Sequence, residues 1–270
     1  MSEPMSDLLQ RIADDRRRAV AARKLEVPAH LLRPRIPPAP TAGRLERALR
    51  RGGPAGAIRV IAEVKRASPS RGVLDVDVNP VARAALYEAG GAAAVSLVIE
   101  PEHFQGDPAW LELVRPAVRV PILAKDFIVD GYQLIEAAAF GADAVLLIAA
   151  MTSEIQMQRA ISDARLLGLD CLVEVHDEGE LSRAVRAGAT VVGINNRDLR
   201  TFEVSRETAL ALLPLVPPLV TAVVESGISG PDDLAPLRAT RCDAVLVGEA
   251  LMTSPDPARA LAGLVAAARG

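Results

Sequence analysis

Three observations predict a single (β/α)₈ (TIM) barrel with an N-terminal helical extension. Eight short apolar runs alternate with eight Ala/Leu/Arg-rich segments of helical periodicity from residue 58 onward. The joints repeat as well: Gly90-Gly91-Ala92-Ala93-Ala94-Val95, Gly141-Ala142-Asp143-Ala144-Val145, Gly188-Ala189-Thr190-Val191-Val192 and Cys242-Asp243-Ala244-Val245 each lead into an apolar run. Glycine at that place suits a left-handed helix C-cap. Finally, 50% of residues are apolar but only 3% are aromatic. Such a core is built from Ala, Val, Leu and Ile, as in a parallel sheet wrapped by helices. The alternative, an open doubly wound sheet, would prefer a glycine-rich loop after its first strand, and no G-x-G-x-x-G is present.

The elements follow in order. Residues 6–24 carry Leu8, Leu9, Ile12, Ala19 and Val20 among many charges. This pattern predicts an amphipathic helix with Arg16-Arg17-Arg18 on its solvated side. Asp14 and Asp15 beside the arginines argue against a nucleic-acid patch. Residues 25–57 concentrate breakers (Pro34, Pro37, Pro38, Pro40, Gly52, Gly53), with room for a short helix at 43–51. Residues 1–57 therefore read as an extension and 58–270 as the barrel. The strands are expected at 58–64, 92–99, 120–124, 142–149, 170–175, 189–194, 218–224 and 242–247. The helices are expected at 79–90, 107–117, 131–140, 152–167, 177–187, 205–213, 231–238 and 255–269.

Bulk properties exclude several classes. The net charge is −3, from 31 basic and 34 acidic residues, so no global field draws the chain to nucleic acid or an anionic membrane. No apolar run reaches the length of a membrane span, and the opening MSEPMSDLLQ lacks an apolar signal region. Cys171 and Cys242 each begin an apolar run and lack metal-ligand spacing, which reads as two buried thiols in a reducing, cytoplasmic compartment.

In such barrels chemistry sits where strands end and βα loops begin. The first strand delivers Glu63 and Lys65 on the face that carries Ile61, then turns into Ser68-Pro-Ser-Arg-Gly72. Buried charge there must pair or face a polar cleft. The third strand puts Lys125 in phase with Leu123, and the fifth puts Glu174 in phase with Leu172, so both point inward. The sixth ends in Asn195-Asn196-Arg197-Asp198, the seventh in Glu225-Ser226-Gly227 and the eighth in Gly248-Glu249. Two lysines and two glutamates converge, which would shift their pKa values and make them acid/base catalysts. The structural alternative is an ion-pair network that only closes the barrel top. Glycines in loops seven and eight suit a phosphate cradle, with the Glu249 side chain pointing away. His30, His103 and His176 are read as non-catalytic, with no partner at metal-ligand spacing.

These residues resemble a known family, indole-3-glycerol phosphate synthase, over nearly the whole chain. The resemblance is carried by Ile61–Gly72 with its Glu-x-Lys-x-x-Ser-Pro-Ser, by Tyr87-Glu-Ala-Gly-Gly-Ala-Ala-Ala94, Phe104-Gln-Gly106, Lys125-Asp-Phe-Ile-Val-Asp130, Leu172-Val-Glu-Val175, Gly193-Ile-Asn-Asn-Arg-Asp-Leu199, Glu225-Ser-Gly-Ile228 and Val247-Gly-Glu-Ala-Leu-Met252. It implies ring closure of 1-(2-carboxyphenylamino)-1-deoxyribulose 5-phosphate to indole-3-glycerol phosphate, CO₂ and water, the carboxy-lyase step of tryptophan biosynthesis. Neither cofactor nor metal is implied. The expected partner is a small phosphorylated substrate, with no nucleic acid and no membrane, and the chain is expected to act as a monomer, at most a weak oligomer. Carried over by motif, Lys125 is the general acid on the substrate carbonyl, and Lys65 holds substrate anions and assists dehydration. Glu174 is a base or cation stabiliser, Glu63 positions the lysines, and Asn195 and Ser226 are polar site residues. Arg197 is a substrate-side arginine, Ser68, Gly227 and Gly248 fall at phosphate and loop contacts, and Phe104 and Phe127 wall the aromatic ring. Ile99, Glu100, Asp107 and Ala138 depart from the family pattern.

Two rivals stand beside this reading. One is another phosphate-sugar barrel enzyme such as phosphoribosylanthranilate isomerase, which relies on a Cys and an Asp at strand ends; here Cys171 begins a strand. The other is a non-catalytic barrel subunit, which would be expected to lack one of the charged site residues.

Overall fold

The structure is a computed structural model that describes residues 7–38, 41–52, 56–198 and 201–269. The N-terminal hexapeptide, Pro40, Gly53 and Leu199 named above lie outside the described residues. Eight strands form a closed parallel barrel: β1 (Arg59–Val64), β2 (Ala94–Val98), β3 (Ile122–Lys125), β4 (Ala144–Ile148), β5 (Asp170–Val175), β6 (Val191–Asn195), β7 (Thr221–Glu225) and β8 (Ala244–Val247). Each pairs with its sequence neighbours, and β1 closes on β8 with Ile61 opposite Leu246. The periodic segments between them form the outer helices, several with a final 3₁₀ turn. The expected left-handed caps are present: Gly141 and Gly188 sit at φ +89° and +91°.

Alternation along the strands divides the core in two. One set of side chains (Val60, Ala62, Val95, Val145, Val173, Val192) packs outward against the helices. The other set (Ile61, Ala94, Leu123, Ala144, Leu146, Leu172, Val191, Val223, Ala244, Leu246) fills the barrel. The N-terminal mouth is plugged by helix α2 (Arg44–Leu49), whose Leu45 and Leu49 join the barrel interior. Gly43 offers α2 no side-chain cap. Asp170, at the start of β5, supplies one instead by accepting from the backbone N–H groups of Leu45 at 2.8 Å and Glu46 at 3.1 Å. The apolar plug closes one end and leaves the charged strand ends at the other.

Helix α1 (Asp7–Glu26) runs over that second end, with Leu8, Leu9 and Ile12 facing the central pocket. Its attachment corrects one expectation. Arg17 and Arg18 are solvated, but Arg16 is fully buried and donates to Asp126 Oδ2 at 2.5 Å. Arg23 pairs with Glu136, Lys24 with Asp130 at 2.6 Å, and Asp15 with His103 at 3.0 Å. This mostly polar helix docks through charge as well as apolar contact, which hydrophobic periodicity does not register. Asp126 follows Lys125 directly, so α1 is fastened next to the end of β3.

Removing the Arg16 cation leaves the buried Asp126 carboxylate with only neutral donors, from the Phe127 N–H and the Gln133 amide. Arg16→Met is expected to lower stability by about 3 kcal/mol in urea unfolding; a change too small to resolve would mean that α1 is not held by this pair.

Candidate active site

The C-terminal ends of the strands surround a cavity of about 640 Å³, a size suited to a small phosphorylated metabolite. Every residue expected at the site lines it: Glu63, Lys65, Ser68, Phe104, Lys125, Phe127, Glu174, Asn195, Arg197, Ser226, Gly227 and Gly248.

Charge is organised around Lys125. Its Nζ donates to Glu225 Oε2 at 2.8 Å and lies 3.4 Å from Glu63 Oε2. Glu63 Oε1 is 2.9 Å from Lys65 Nζ, and its other oxygen accepts from Ser96 Oγ at 3.2 Å. Burial alone would strip the Lys125 proton, but Glu225, Glu63 and Glu174 outweigh it and raise its pKa above the ordinary lysine range. Burial would likewise raise Glu63, yet Lys125 and then Lys65 hold it down to about 2. Glu225 goes the other way. Burial pushes its carboxyl up to about 7, Glu174 and Glu63 repel its charge, and Lys125 offsets this only in part. Its Oε1 is buried without a partner. Glu225 is thus held to its proton more tightly than an ordinary carboxyl, while Glu63 and Glu174 are held to theirs less.

Glu225 was legible at the end of its strand but absent from the expected catalytic set. Its signal was the one used for Lys125, an inward phase shared with the apolar Val223. Glu174 lies beside Asn195 and 3.4 Å from His176 Nε2. Burial opposes its ionisation, but His176, Lys125 and Asn195 lower its pKa.

Two glycines make room for these carboxylates. A Cβ on Gly248 would stand 2.4 Å from Glu63 Oε1 and 3.0 Å from Lys65 Nζ. One on Gly193 would stand 2.0 Å from Glu225 Oε1. The expected phosphate role of Gly248 thus has a steric one beside it. Ser226 adopts φ +64°, uncommon outside glycine, and its carbonyl is held by Asn196 Nδ2 at 3.0 Å.

Three walls complete the pocket. Phe104 and Phe127 meet at a centroid distance of 5.9 Å, tilted by 41°, beside the apolar face of α1. The departure at Glu100 has a clear use: its buried carboxylate accepts from the N–H groups of Glu102, His103 and Phe104 at 2.9, 2.7 and 2.9 Å, fixing the loop that presents Phe104. On the first loop, Ala67–Ser68 and Gly72–Val73 form a short antiparallel ladder. Arg71 of that ladder's turn reaches Glu249 Oε1 at 2.7 Å, and Glu249 Oε2 lies 3.7 Å from Arg197. The Glu249 side chain was expected to point away from the site. It instead lines the pocket, tolerated there because two arginines neutralise it. The metal-capable cluster found among the described residues, Asp15, Glu102 and His103, lies outside this cavity.

A family model described as indole-3-glycerol phosphate synthase matches residues 9–264. The chain belongs to the indole-3-glycerol phosphate synthase family. It is 46% identical to the indole-3-glycerol phosphate synthase of Azoarcus sp. (strain BH72) over 96% of this chain and 99% of that protein. It is 47% identical to the one from Chlorobium luteolum (strain DSM 273 / BCRC 81028 / 2530), over 92% of this chain and 94% of that one. Among solved structures, KGPDC from Streptococcus mutans superposes with a TM-score of 0.62 at 14% identity, covering 78% of this chain and 97% of that chain. This last likeness speaks for the barrel alone. The pocket of this family member gathers lysines, arginines and glutamates in one cavity.

Two outcomes test this geometry. Gly248→Ala is expected to lower kcat/KM by about 10²-fold, because displacing Glu63 or Lys65 by an ångström spoils alignment, with the circular dichroism spectrum unchanged; near-normal turnover would remove the steric role. Stability should also fall as pH rises. Unfolded Glu225 ionises near 4.5 and folded Glu225 near 7, so its cost grows between those values. His176, raised to about 10 by Glu174 and Glu180 despite burial, contributes stability below 6.5 that is lost as pH rises through 10. Calorimetry is expected to show Tm declining from pH 5 to pH 10, with the part below pH 6.5 shallower in Glu225→Gln; identical slopes in both proteins would contradict the assignment.

Proposed function

We propose that this chain closes the indole ring of 1-(2-carboxyphenylamino)-1-deoxyribulose 5-phosphate, releasing CO₂ and water to give indole-3-glycerol phosphate, with the work divided among the residues above. The observation that carries the division of labour is the Lys125 ammonium, half-buried in the pocket and paired with Glu225 and Glu63. An ammonium so placed is an acid aimed at a bound carbonyl. Lys125 protonates the ketone oxygen of the substrate as the aromatic carbon bearing the carboxylate attacks the carbonyl carbon. Loss of CO₂ returns the electron pair of that bond to the ring. Loss of water then completes the indole. Lys65 supplies the proton to the departing hydroxyl, and ionised Glu174 removes the proton released as the pyrrole ring becomes aromatic. Glu63 holds both lysines at fixed spacing. Glu225, carrying a proton near neutral pH, hands it back to Lys125 between turnovers.

Binding follows the same logic. Phe104, Phe127 and the apolar face of α1 enclose the aromatic ring, and Arg197 faces the substrate carboxylate. Ser68 and the backbone at Gly227 and Gly248 receive the phosphate. Residues 1–57 then act as an extension that completes the barrel's site rather than as a separate domain. Among the described residues no helix is long and apolar enough to cross a membrane. Cys171 and Cys242 are free and buried, their thiols pushed up to about 12 by burial, which suits a reducing cytoplasm and leaves no strand-end cysteine for isomerase chemistry.

Purified protein given the carboxyphenylamino substrate is expected to produce indole fluorescence without added metal, and Lys125→Met to lower kcat by about 10³-fold or more while keeping the parent's circular dichroism spectrum. No indole from the parent protein would sink the activity; near-normal turnover by the variant would sink the role of Lys125.

A further inference from the structure

His176 lies two residues beyond Glu174, past the end of β5, with its side chain largely buried behind the pocket wall. Both ring nitrogens face carboxylates. Nε2 is 3.4 Å from Glu174 Oε1, and Nδ1 is 3.1 Å from Glu180 Oε2 on the first turn of helix Glu178–Arg186. The backbone N–H of His176 also donates to Glu180 Oε2 at 2.8 Å. Glu180 is itself fixed, since its own N–H donates to Asp177 Oδ1 at 2.7 Å. A further charged neighbour is Arg183, 4.0 Å from Glu180 Oε1, with its guanidinium on the carbonyls of Ala149 and Thr152 after β4.

A neutral imidazole has one N–H and one lone pair. Between two carboxylates, its lone pair would face an anionic oxygen. Only the imidazolium is attracted to both, donating from Nδ1 to Glu180 and facing Glu174 by charge across 3.4 Å without a hydrogen bond, so the arrangement selects the charged ring. We propose that His176 is a positioning residue, an imidazolium strut between Glu180 and Glu174 that keeps Glu174 ionised and oriented as the base of the pocket. The inference rests on the reading above that Glu174 accepts a proton.

The need for such a strut comes from the company Glu174 keeps. Glu63 and Glu225 also surround Lys125, and repulsion among three carboxylates favours protonating one of them. A fixed cation behind Glu174 directs that proton to Glu225. His176 therefore decides which glutamate is the base and which is the acid, without touching substrate. Burial disfavours the charged ring, but Glu174 and Glu180 together overcome this.

The test is the pH profile of kcat/KM for the carboxyphenylamino substrate. His176→Gln keeps a polar side chain but not the charge. It is expected to move the acid limb to higher pH by about one unit or more, with kcat on the plateau above that limb and KM little changed. Glu180→Gln, which retains an acceptor for the His176 N–H, should shift the limb the same way by less. If His176→Gln does not fold, Glu180→Gln decides the matter alone. An acid limb that stays in place in the folded variants overturns the proposal. Glu174→Gln separates the two levels: an active Glu174→Gln enzyme would overturn the underlying reading, whereas an inactive one with an unmoved limb in the other variants would overturn only the role of His176.

Discussion

A half-buried ammonium group at the end of β3 is the constraint to which the rest of this molecule answers. Charge taken out of water costs several kcal/mol per ion unless it is compensated. Lys125 is compensated by Glu225 at 2.8 Å and Glu63 at 3.4 Å, each from a different strand. Those carboxylates are buried too, and each needs its own arrangement. Lys65 and Ser96 serve Glu63, and a neutralising proton serves Glu225. The outcome is a lysine that remains an acid inside the pocket.

The scaffold holds that cluster in place. Below it, small aliphatic side chains from all eight strands and two leucines of α2 fill the barrel, so the charges rest on a packed floor. At cluster level the inward positions alternate between carboxylates and glycines: Gly193 sits under Glu225, and Gly248 beside Glu63 and Lys65. Above it, α1 closes the wall and is anchored to Asp126, the residue after Lys125. The chain has only three lysines, and two of them stand in this pocket, while arginine carries nearly all its other positive charge. That partition makes chemical sense. Arginine cannot give up its proton in a protein, whereas lysine can.

How far the sequence reveals this differs from residue to residue. The barrel was legible because eight apolar runs and their glycine joints repeat. Lys125 and Glu174 were legible because each falls in phase with an inward leucine. Parity, however, tells only which face a side chain takes. Which carboxylate lies nearest Lys125 depends on how the strands stagger, and that brings Glu225 level with Asn195 and Leu246. Arg16 was misread because its partner is 110 residues away, and three consecutive arginines carry no mark of which one faces the protein. Glu249 was misread for a related reason: whether a carboxylate can stay in an anion site depends on Arg71 and Arg197, supplied by two other loops.

The central claim is that carboxylates outweigh burial at Lys125, and direct titration of its amine tests it. Lysine labelled with ¹³C at Cε gives three signals in this chain, assignable with Lys65→Arg and Lys125→Met. The Lys125 signal is expected to keep its ammonium position as pH passes the ordinary lysine value of 10.5. Loss of that proton below pH ~9, in the direction of desolvated lysines, would contradict the account.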